Sequence, residues 1–239
     1  MNSLELTCFP KLDYASAEAL NTLCANLSFA GENVRRIMLT SCQASEGKSY
    51  ISINAMRTLA GLGKRVALVD ADLRRSMLAS RYGMQLYSKR KSQGLSHYLA
   101  GMCGIEDVIY STNIPGAHMV PVGREVTNSL SLLTTPRLTA LLDHLAQTFD
   151  FVLVDAPPIG MIIDAAEIAK SCDGTLLIVN YNKTRRRDLL EARRQIERAG
   201  CRVLGAVLNN VTFDSYINKK YYNKSYYNAY YGLPDEKTT

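Results

Sequence analysis

The sequence has 239 residues, 47% of them hydrophobic, and a formal net charge of +6. Its length suits one domain with a substantial core, and its apolar runs are far shorter than the roughly 20 residues of a membrane-spanning helix. The six cysteines are scattered singly, which excludes a zinc motif of the usual spacing and predicts reduced thiols in a cytoplasmic protein. The basic charge favours an anionic partner without choosing among nucleotide, nucleic acid, membrane and polyanionic product.

Short β-branched runs alternate with longer amphipathic stretches, which is typical of an α/β fold with a mostly parallel sheet and helices on both faces. An early helix is predicted over residues 16–29, and residues 72–116 are predicted to form a loop-rich excursion. One domain is predicted to span residues 1–214, followed by a mobile tail over 215–239. The predicted strands are 36–41, 65–70, 118–121, 151–155, 175–180 and 202–208. The other helices are predicted to begin near Lys48, Pro136, Ile162 and Thr184.

The segment from Cys42 to Ser49 follows a predicted strand and opens a predicted helix, as a phosphate-binding loop must. Gly47 would let the backbone approach a phosphate, and the helix start would supply partial positive charge. Lys48 would neutralise the β- and γ-phosphates, and the Ser49 hydroxyl would ligate Mg²⁺. An ordinary helix start is the alternative, because Cys42 stands where the usual pattern has its first glycine. The residues predicted to bind the nucleotide in this region are Cys42, Ala44, Ser45, Glu46, Gly47, Lys48, Ser49 and Tyr50.

Two other predicted strands end in aspartates. Asp70 and Asp72 follow the strand at 65–70, and Asp155 ends the strand at 151–155. Ligands of open α/β sheets bind at the carboxyl ends of the strands, so the three strand ends are predicted to converge on one crevice. An aspartate after a strand is often only a helix cap, but two such strands together with Gly-Lys-Ser favour a nucleotide site.

These segments resemble the bacterial tyrosine autokinases of capsule and exopolysaccharide synthesis, which are P-loop NTPases of the partition-ATPase-like type. The resemblance rests on the loop at 42–49, on Asp-Ala-Asp-Leu-Arg-Arg at 70–75 and on Asp-Ala-Pro-Pro at 155–158. It covers the chain from about Glu18 to the terminal tyrosines. Within the family, the chain looks like the cytoplasmic form whose membrane activator is a separate protein.

The resemblance implies an ATP- and Mg²⁺-dependent protein-tyrosine kinase that phosphorylates its own C-terminal tyrosines. Lys48 would hold phosphates, and Mg²⁺ would be held by Ser49, Asp72 and Asp155. Asp70 would accept the proton of the attacking tyrosine hydroxyl, although the sequence does not fix which aspartate is the base. Asn209 would contact the adenine. The catalytic set is therefore Lys48, Asp70, Asp72 and Asp155.

The resemblance also implies a partner and a location. The partner would be a membrane-bound activator of the polysaccharide copolymerase type, which sets chain length. It would recruit this cytoplasmic protein to the inner face of the membrane, so contact with the membrane would be indirect. Nucleic acid is not expected as a partner, since no recognition motif accompanies the spread basic residues.

The sequence departs from the family pattern in two places. Ala44 and Ser45 replace a proline and a glycine of the loop, and the Cβ of Ser45 brings the backbone angle and the turnover into question. The Glu-x-x-Arg-x-x-Arg motif that packs neighbouring subunits in a ring reads Glu18, Asn21 and Cys24 here. A ring therefore does not follow from the sequence, while some other homo-oligomer stays open.

Seven of the fourteen tyrosines fall between Tyr216 and Tyr231. Their neighbours are Asn, Lys, Ser and Ala without an apolar face, which favours a phosphoacceptor tail over an aromatic strand or an interaction tail. A partition or septum-placement ATPase would share the loop and the aspartates but lack this cluster. A nucleotide-binding scaffold with little catalysis is the third hypothesis. The predicted phosphoacceptors are Tyr221, Tyr222, Tyr226, Tyr227, Tyr230 and Tyr231.

Overall fold

The computed structural model describes residues 2–31, 33–88 and 92–211, and the elements below lie in these ranges. The strands are β1 Ser3–Leu6, β2 Arg36–Ser41, β3 Val66–Asp70, β4 Met84–Tyr87, β5 Tyr110–Thr112, β6 Ala117–Val120, β7 Phe151–Asp155, β8 Gly174–Asn180 and β9 Val203–Asn209. The helices are α1 Tyr14–Ser28, α2 Lys48–Gly61, α3 Leu78–Arg81, α4 Leu95–Leu99, α5 Ser129–Leu133, α6 Pro136–Thr148, α7 Asp164–Ala169 and α8 Arg186–Arg198.

The strands form one sheet in the order β4-β1-β5-β6-β3-β7-β2-β8-β9. The six strands from β6 to β9 in this order run parallel. Antiparallel pairs occur only toward the other edge, where β4 pairs with β1 and β5 pairs with β6. The predicted mostly parallel sheet is confirmed, and β2, which leads into the loop at 42–47, lies between β7 and β8 in its parallel part.

Apolar side chains of the central strands alternate between two cores, one on each face of the sheet. In β2, Ile37 and Leu39 pack with α1 and α2, whereas Met38 packs with the core that contains α6, α7 and α8. In β7, Leu153 packs into the core with α1 and α2, and Val154 packs into the core with α6, α7 and α8. Both faces are therefore covered by helices, as predicted, and the polar ends of the strands provide the surface on which a site can form.

The predicted central strands agree with the observed ones to within one residue at each end, and α2 and α6 begin where predicted. The prediction of a loop-rich excursion over 72–116 was wrong in part, because α3, β4, α4 and β5 lie within it. These elements have three to five residues, and β4 is held by pairing with β1, Ser3 opposite Tyr87. Such a pairing joins segments distant in sequence, so local periodicity does not reveal it.

The boundary at 214 and the predicted tail lie outside the described residues.

None of the helices in the described ranges is long and apolar enough to cross a membrane. The six cysteines are free thiols.

Asp173, just before β8, ties the starts of β2 and β8 together. Its carboxylate accepts hydrogen bonds from the backbone N–H groups of Arg35 and Arg36, at 3.0 and 2.7 Å. It also accepts two from the Arg36 guanidinium, at 3.1 and 2.6 Å. Burial opposes ionisation, but the hydrogen bonds from Arg36 and Arg35 outweigh it, and the pKa of Asp173 is lowered below its ordinary value of 3.8. The ionised form therefore stabilises this corner of the sheet.

We expect Asp173→Asn to lower the free energy of unfolding by about 1–3 kcal/mol at neutral pH, because charge-assisted hydrogen bonds are lost. Since the folded-state pKa is lowered, the contribution is present above the ordinary pKa and is lost as the pH falls below it. Urea denaturation at pH 7 and near pH 3 measures both effects. Asp143→Asn is the matched control, because Asp143 also pairs with Arg36 but is half exposed, and it should cost less than about 1 kcal/mol. An equal cost for the two variants would contradict this assignment.

Candidate active site

The loop between β2 and α2 has the backbone shape that a phosphate requires. Gly47 caps the start of α2 with a φ of +96°, a left-handed conformation that favours glycine. A Cβ at Gly47 would lie 1.9 Å from the Asn209 amide nitrogen, so the close approach of β9 also requires glycine. Ser45 adopts a φ of +61°, which costs a residue with a Cβ roughly 1–2 kcal/mol. The loop therefore keeps its shape in spite of the serine, and its N–H groups remain at the start of α2.

Glu46 braces this loop from within. Its buried carboxylate accepts hydrogen bonds from the Gln43 N–H, at 3.0 Å, and from the Thr184 hydroxyl. The Asn209 amide nitrogen donates to the Glu46 carbonyl oxygen at 2.9 Å. The Glu46 side chain thus holds the loop in shape, and contact of this residue with a phosphate is left to its backbone. Sequence reasoning placed Asn209 near the nucleotide but did not foresee that it supports the loop.

Asp70 and Asp155 lie side by side at the ends of adjacent parallel strands, in register with each other. Both are almost fully buried, with 1% and 2% of their surfaces exposed. Asp155 accepts a hydrogen bond from the Ser52 hydroxyl at 3.0 Å, and Asp70 accepts one from the Ser76 hydroxyl. The second oxygen of Asp70, Oδ1, is buried and has no hydrogen-bond partner within the described ranges. The predicted convergence of strand ends is thus present, and it leaves one buried carboxylate oxygen unused.

The two buried carboxylates raise each other's cost of ionisation. Burial raises the pKa of Asp155 to about 6, although a hydrogen bond from Ser49 and the charge of Lys48 oppose the rise. Burial, followed by repulsion from Asp155, raises the pKa of Asp70 well above its ordinary value. Two neighbouring buried acids are costly to ionise together. The pair therefore favours a bound cation or a proton.

Lys48, Ser49 and Asp72 line a cavity of about 260 Å³ at this edge of the sheet. Its other walls come from the loop, the segment after Asp72 and the start of the segment after β7; they are Ala44, Ser45, Gly47, Arg75, Met77, Arg81, Pro158, Met161 and Ile162. Asp155 adjoins the cavity through its hydrogen bond with Ser49. Of the predicted catalytic residues, Lys48 and Asp72 therefore line the cavity, while Asp155 and its strand neighbour Asp70 lie behind its wall.

Four predicted nucleotide-binding residues do not line this cavity, namely Glu46, described above, and Cys42, Tyr50 and Asn209. Cys42 is buried, and burial raises its pKa to about 12, so its thiol is neither exposed nor reactive. Tyr50 and Asn209 line a neighbouring cavity of about 360 Å³ together with Asp13. The walls of this second cavity come from α1, the start of α2 and the end of β9.

The donor set fits Mg²⁺. Ser49, Asp72 and Asp155 offer hard oxygen atoms, and the unused Asp70 oxygen and the high pKa of Asp155 mark an excess of buried negative charge. Within the described part of the chain, no three His, Cys, Asp or Glu side chains come together as a metal site. Mg²⁺ at phosphate sites usually takes one or two carboxylates and completes its coordination with phosphate oxygens and water.

Asp164, which sequence reasoning missed, anchors the segment that carries Asp72. Its carboxylate is 1% exposed and accepts two hydrogen bonds from the Arg74 guanidinium, at 2.9 and 3.2 Å. It also accepts one from the Ser129 hydroxyl at the start of α5. Arg74 belongs to the motif at 70–75, but nothing near Asp164 in the sequence identifies it as the partner. The contact fixes the chain two residues beyond Asp72, so Asp164 is a positioning residue.

We expect Asp164→Asn to lower the free energy of unfolding by about 1–3 kcal/mol and to raise the KM for ATP and the Mg²⁺ concentration needed for half-maximal rate, because Asp72 loses its support. Chemical denaturation and ATP-dependent phosphorylation at graded Mg²⁺ measure these effects. Glu167→Gln, on the same helix and paired only with exposed Lys170, should change neither. If Asp164→Asn lost stability but kept its ATP and Mg²⁺ dependence, Asp164 would support only the fold and would not position Asp72.

Comparison with known proteins agrees with this geometry. Residues 34–186 match a family described as an AAA domain. The chain is 32% identical over 195 residues to the tyrosine-protein kinase CpsD of Streptococcus agalactiae serotype Ia, covering 82% of each chain. It is 32% identical over 201 residues to CpsD of Streptococcus pneumoniae, covering 83% of this chain and 87% of that one.

Solved structures of a tyrosine kinase domain and of a septum site-determining protein share this fold. The kinase domain of the Escherichia coli tyrosine kinase ETK superposes with a TM-score of 0.77 at 29% identity, covering 84% of this chain and 77% of that chain. The septum site-determining protein MinD from Pyrococcus horikoshii, complexed with Mg-ADP, superposes with a TM-score of 0.62 at 26% identity and covers 73% of this chain and 70% of that one.

The fold and the loop therefore define a P-loop ATPase-like protein of the α/β class. Within that class, the chain belongs to the bacterial tyrosine kinases of capsule and exopolysaccharide synthesis, as its motifs predicted. It is a protein-tyrosine kinase. The predicted family and the predicted protein-tyrosine kinase activity are confirmed, rather than the alternative of a partition or septum-placement ATPase, which shares the fold.

Proposed function

We propose that the protein is an ATP- and Mg²⁺-dependent autokinase that phosphorylates the tyrosine doublets of its own C-terminal segment, Tyr221 to Tyr231. The observation that carries the proposal is the register of Asp70 with Asp155 at the ends of β3 and β7, beside the cavity of Lys48, Ser49 and Asp72. The tyrosine cluster in the sequence supplies the acceptors.

In this proposal, the loop N–H groups and Lys48 bind the β- and γ-phosphates. Ser49, Asp72 and Asp155 would hold Mg²⁺, which when bound neutralises the charge on the phosphates and orients them. The tyrosine oxygen attacks the γ-phosphorus, the bond from that phosphorus to the β,γ-bridging oxygen breaks, and ADP leaves. Because catalysis here depends on position and charge, one lysine, the metal-holding acids and a base are sufficient.

Among the three aspartates, Asp70 has the carboxylate with an oxygen that is left free to accept a proton. Both Ser49 and Ser52 already donate to Asp155, and the Arg75 N–H donates to Asp72 at 3.1 Å. Asp70 instead keeps one oxygen without a partner, and its pKa is raised toward the range in which a carboxylate accepts a proton effectively. The proton of the attacking tyrosine hydroxyl would pass to this oxygen.

The second cavity supports the predicted adenine contact of Asn209. Since the amide nitrogen of Asn209 donates to the loop, the amide oxygen would accept from the adenine. Tyr50 and Asp13 line the same space.

We further propose that the kinase regulates polymerisation and export of a capsular or exopolysaccharide, and that a membrane-bound activator of the polysaccharide copolymerase type recruits it to the inner face of the membrane. The family supports this role. The similarity to the chimerical protein CapA2B2, with a TM-score of 0.75 at 25% identity, is consistent with it.

Ring assembly through the family motif receives no support from α1. Asn21 donates to Glu18 within the same helix at 3.2 Å. Cys24 is fully buried and packs beneath α2, with its sulfur 3.7 Å from the Ala55 carbonyl oxygen. All three motif positions thus interact within their own chain, and we expect any homo-oligomer to use other contacts.

Incubation of the purified chain with ATP and Mg²⁺, with and without the cytoplasmic segment of the activator, followed by mass mapping of phosphotyrosine, tests the proposal. We expect phosphate on the tyrosines from 221 to 231 and none in Lys48→Met. Asp70→Asn should still bind ATP but transfer phosphate roughly 10²–10⁴-fold more slowly, as expected for loss of a general base.

Either of two outcomes would contradict the proposal. ATP hydrolysis with unmodified tyrosines would favour the partition-type ATPase, and neither hydrolysis nor transfer would favour the scaffold. A rate for Asp70→Asn close to that of the unmodified chain would assign the base elsewhere.

A further inference from the structure

Two arginines that the proposed mechanism does not use line the catalytic cavity. Arg75 and Arg81 share its wall with Lys48 and Asp72. Both side chains are exposed, and neither forms an ion pair with a carboxylate within residues 2–31, 33–88 and 92–211. Arg74 differs, since its guanidinium is taken by Asp164. Two guanidinium groups are therefore available to an anion at the mouth of the cavity.

The segment that carries these arginines is anchored along its length. The Arg75 N–H donates to the Asp72 carboxylate at 3.1 Å, and the Ser76 hydroxyl donates to Asp70. Leu78 is fully buried, and the Arg81 N–H donates to the Met77 carbonyl oxygen at 3.0 Å. The backbone of Arg75 is therefore held by contacts with the catalytic acids, and that of Arg81 by the short helix α3 that follows.

The chemistry of guanidinium selects a phosphate or a carboxylate. Arginine binds the oxygens of a phosphate with paired, charge-assisted hydrogen bonds. The stretch from Tyr216 to Tyr231 contains no aspartate or glutamate, so in its unmodified form it offers no anion to Arg75 and Arg81. A phosphotyrosine within this stretch would supply one, with a charge of about −1.5 to −2 at neutral pH.

The acceptors occur as three adjacent doublets, which are Tyr221–Tyr222, Tyr226–Tyr227 and Tyr230–Tyr231. The Cα atoms of neighbouring residues are about 3.8 Å apart, so when one tyrosine of a doublet lies at the phosphate, its neighbour lies at the mouth of the same cavity. Met77 and Met161 are exposed at this wall, at 43% and 63%, and provide adaptable apolar contacts for an aromatic ring.

We infer that Arg75 and Arg81 form a subsite for the phosphate of a phosphotyrosine that adjoins the acceptor. The second tyrosine of a doublet is then phosphorylated faster than the first, and the doublets fill in pairs. This inference rests on the proposed function, because it concerns the acceptor of that reaction. It assigns the two arginines a role in substrate choice and leaves the transfer step to the other residues.

Two labelled peptides with the sequence of residues 224–229 test the inference. Tyr227 is the acceptor in both, and position 226 carries phosphotyrosine in one and the Tyr226→Phe change in the other. The affinity of the full chain for each peptide is measured by fluorescence anisotropy with ADP and Mg²⁺, and kcat/KM for Tyr227 is measured with ATP. We expect about tenfold tighter binding of the phosphorylated peptide, as one strong charged contact provides, and a similar ratio in kcat/KM.

Arg75→Gln and Arg81→Gln should bring both ratios close to one, whereas Arg194→Gln, an exposed arginine on α8, should leave them unchanged. Equal affinity of the unmodified chain for the two peptides would overturn the inference, and so would a preference that survives both substitutions. If the two arginine variants lost kcat/KM equally for both peptides, the inference would also be overturned, because the arginines would then act on the nucleotide. A binding preference without phosphate transfer would keep the subsite and refute the autokinase instead.

Discussion

The pairing of Asp70 with Asp155 is the constraint on which the rest of the site depends. Two carboxylates at the ends of adjacent parallel strands, each almost fully buried, are costly to ionise together. The surrounding groups reduce that cost only in part, through hydroxyl donors and the charge of Lys48. The remaining excess of negative charge suits the site to a divalent cation such as Mg²⁺. The loop of residues 42–47 lies beside these strand ends because β2 pairs with β7.

Two braces hold the parts of the site that the sheet does not fix. Glu46, with Thr184 and Asn209, holds the phosphate loop, and it compensates for the left-handed backbone that Ser45 adopts. Asp164, with Arg74 and Ser129, holds the chain after Asp72. Each brace connects a loop of the cavity to a segment that is distant in sequence. The shape of these loops therefore does not depend on local conformational propensity alone.

The central strands and the catalytic acids could be predicted because both follow from local pattern. β-Branched runs predict β2, β3 and β7, and the geometry of parallel sheets predicts that the aspartates at the ends of β3 and β7 lie together. The short strands β1, β4 and β5 could not be predicted, since they have only three or four residues each and β1 pairs with β4 and β5 far along the chain. The braces were missed for a similar reason: Glu46 and Asp164 find their partners across the fold, at separations that no sequence motif encodes.

The most direct test of Asp155 as a metal ligand is a calorimetric titration. A non-hydrolysable ATP analogue is titrated into the unmodified chain and into Asp155→Asn, each with and without Mg²⁺. If Asp155 holds the metal, the unmodified chain should bind the analogue at least about tenfold more tightly with Mg²⁺, and the variant should lose most of that difference. The variant should also remain folded, because the change relieves repulsion from Asp70. An Mg²⁺ dependence that is the same in both proteins would contradict the account.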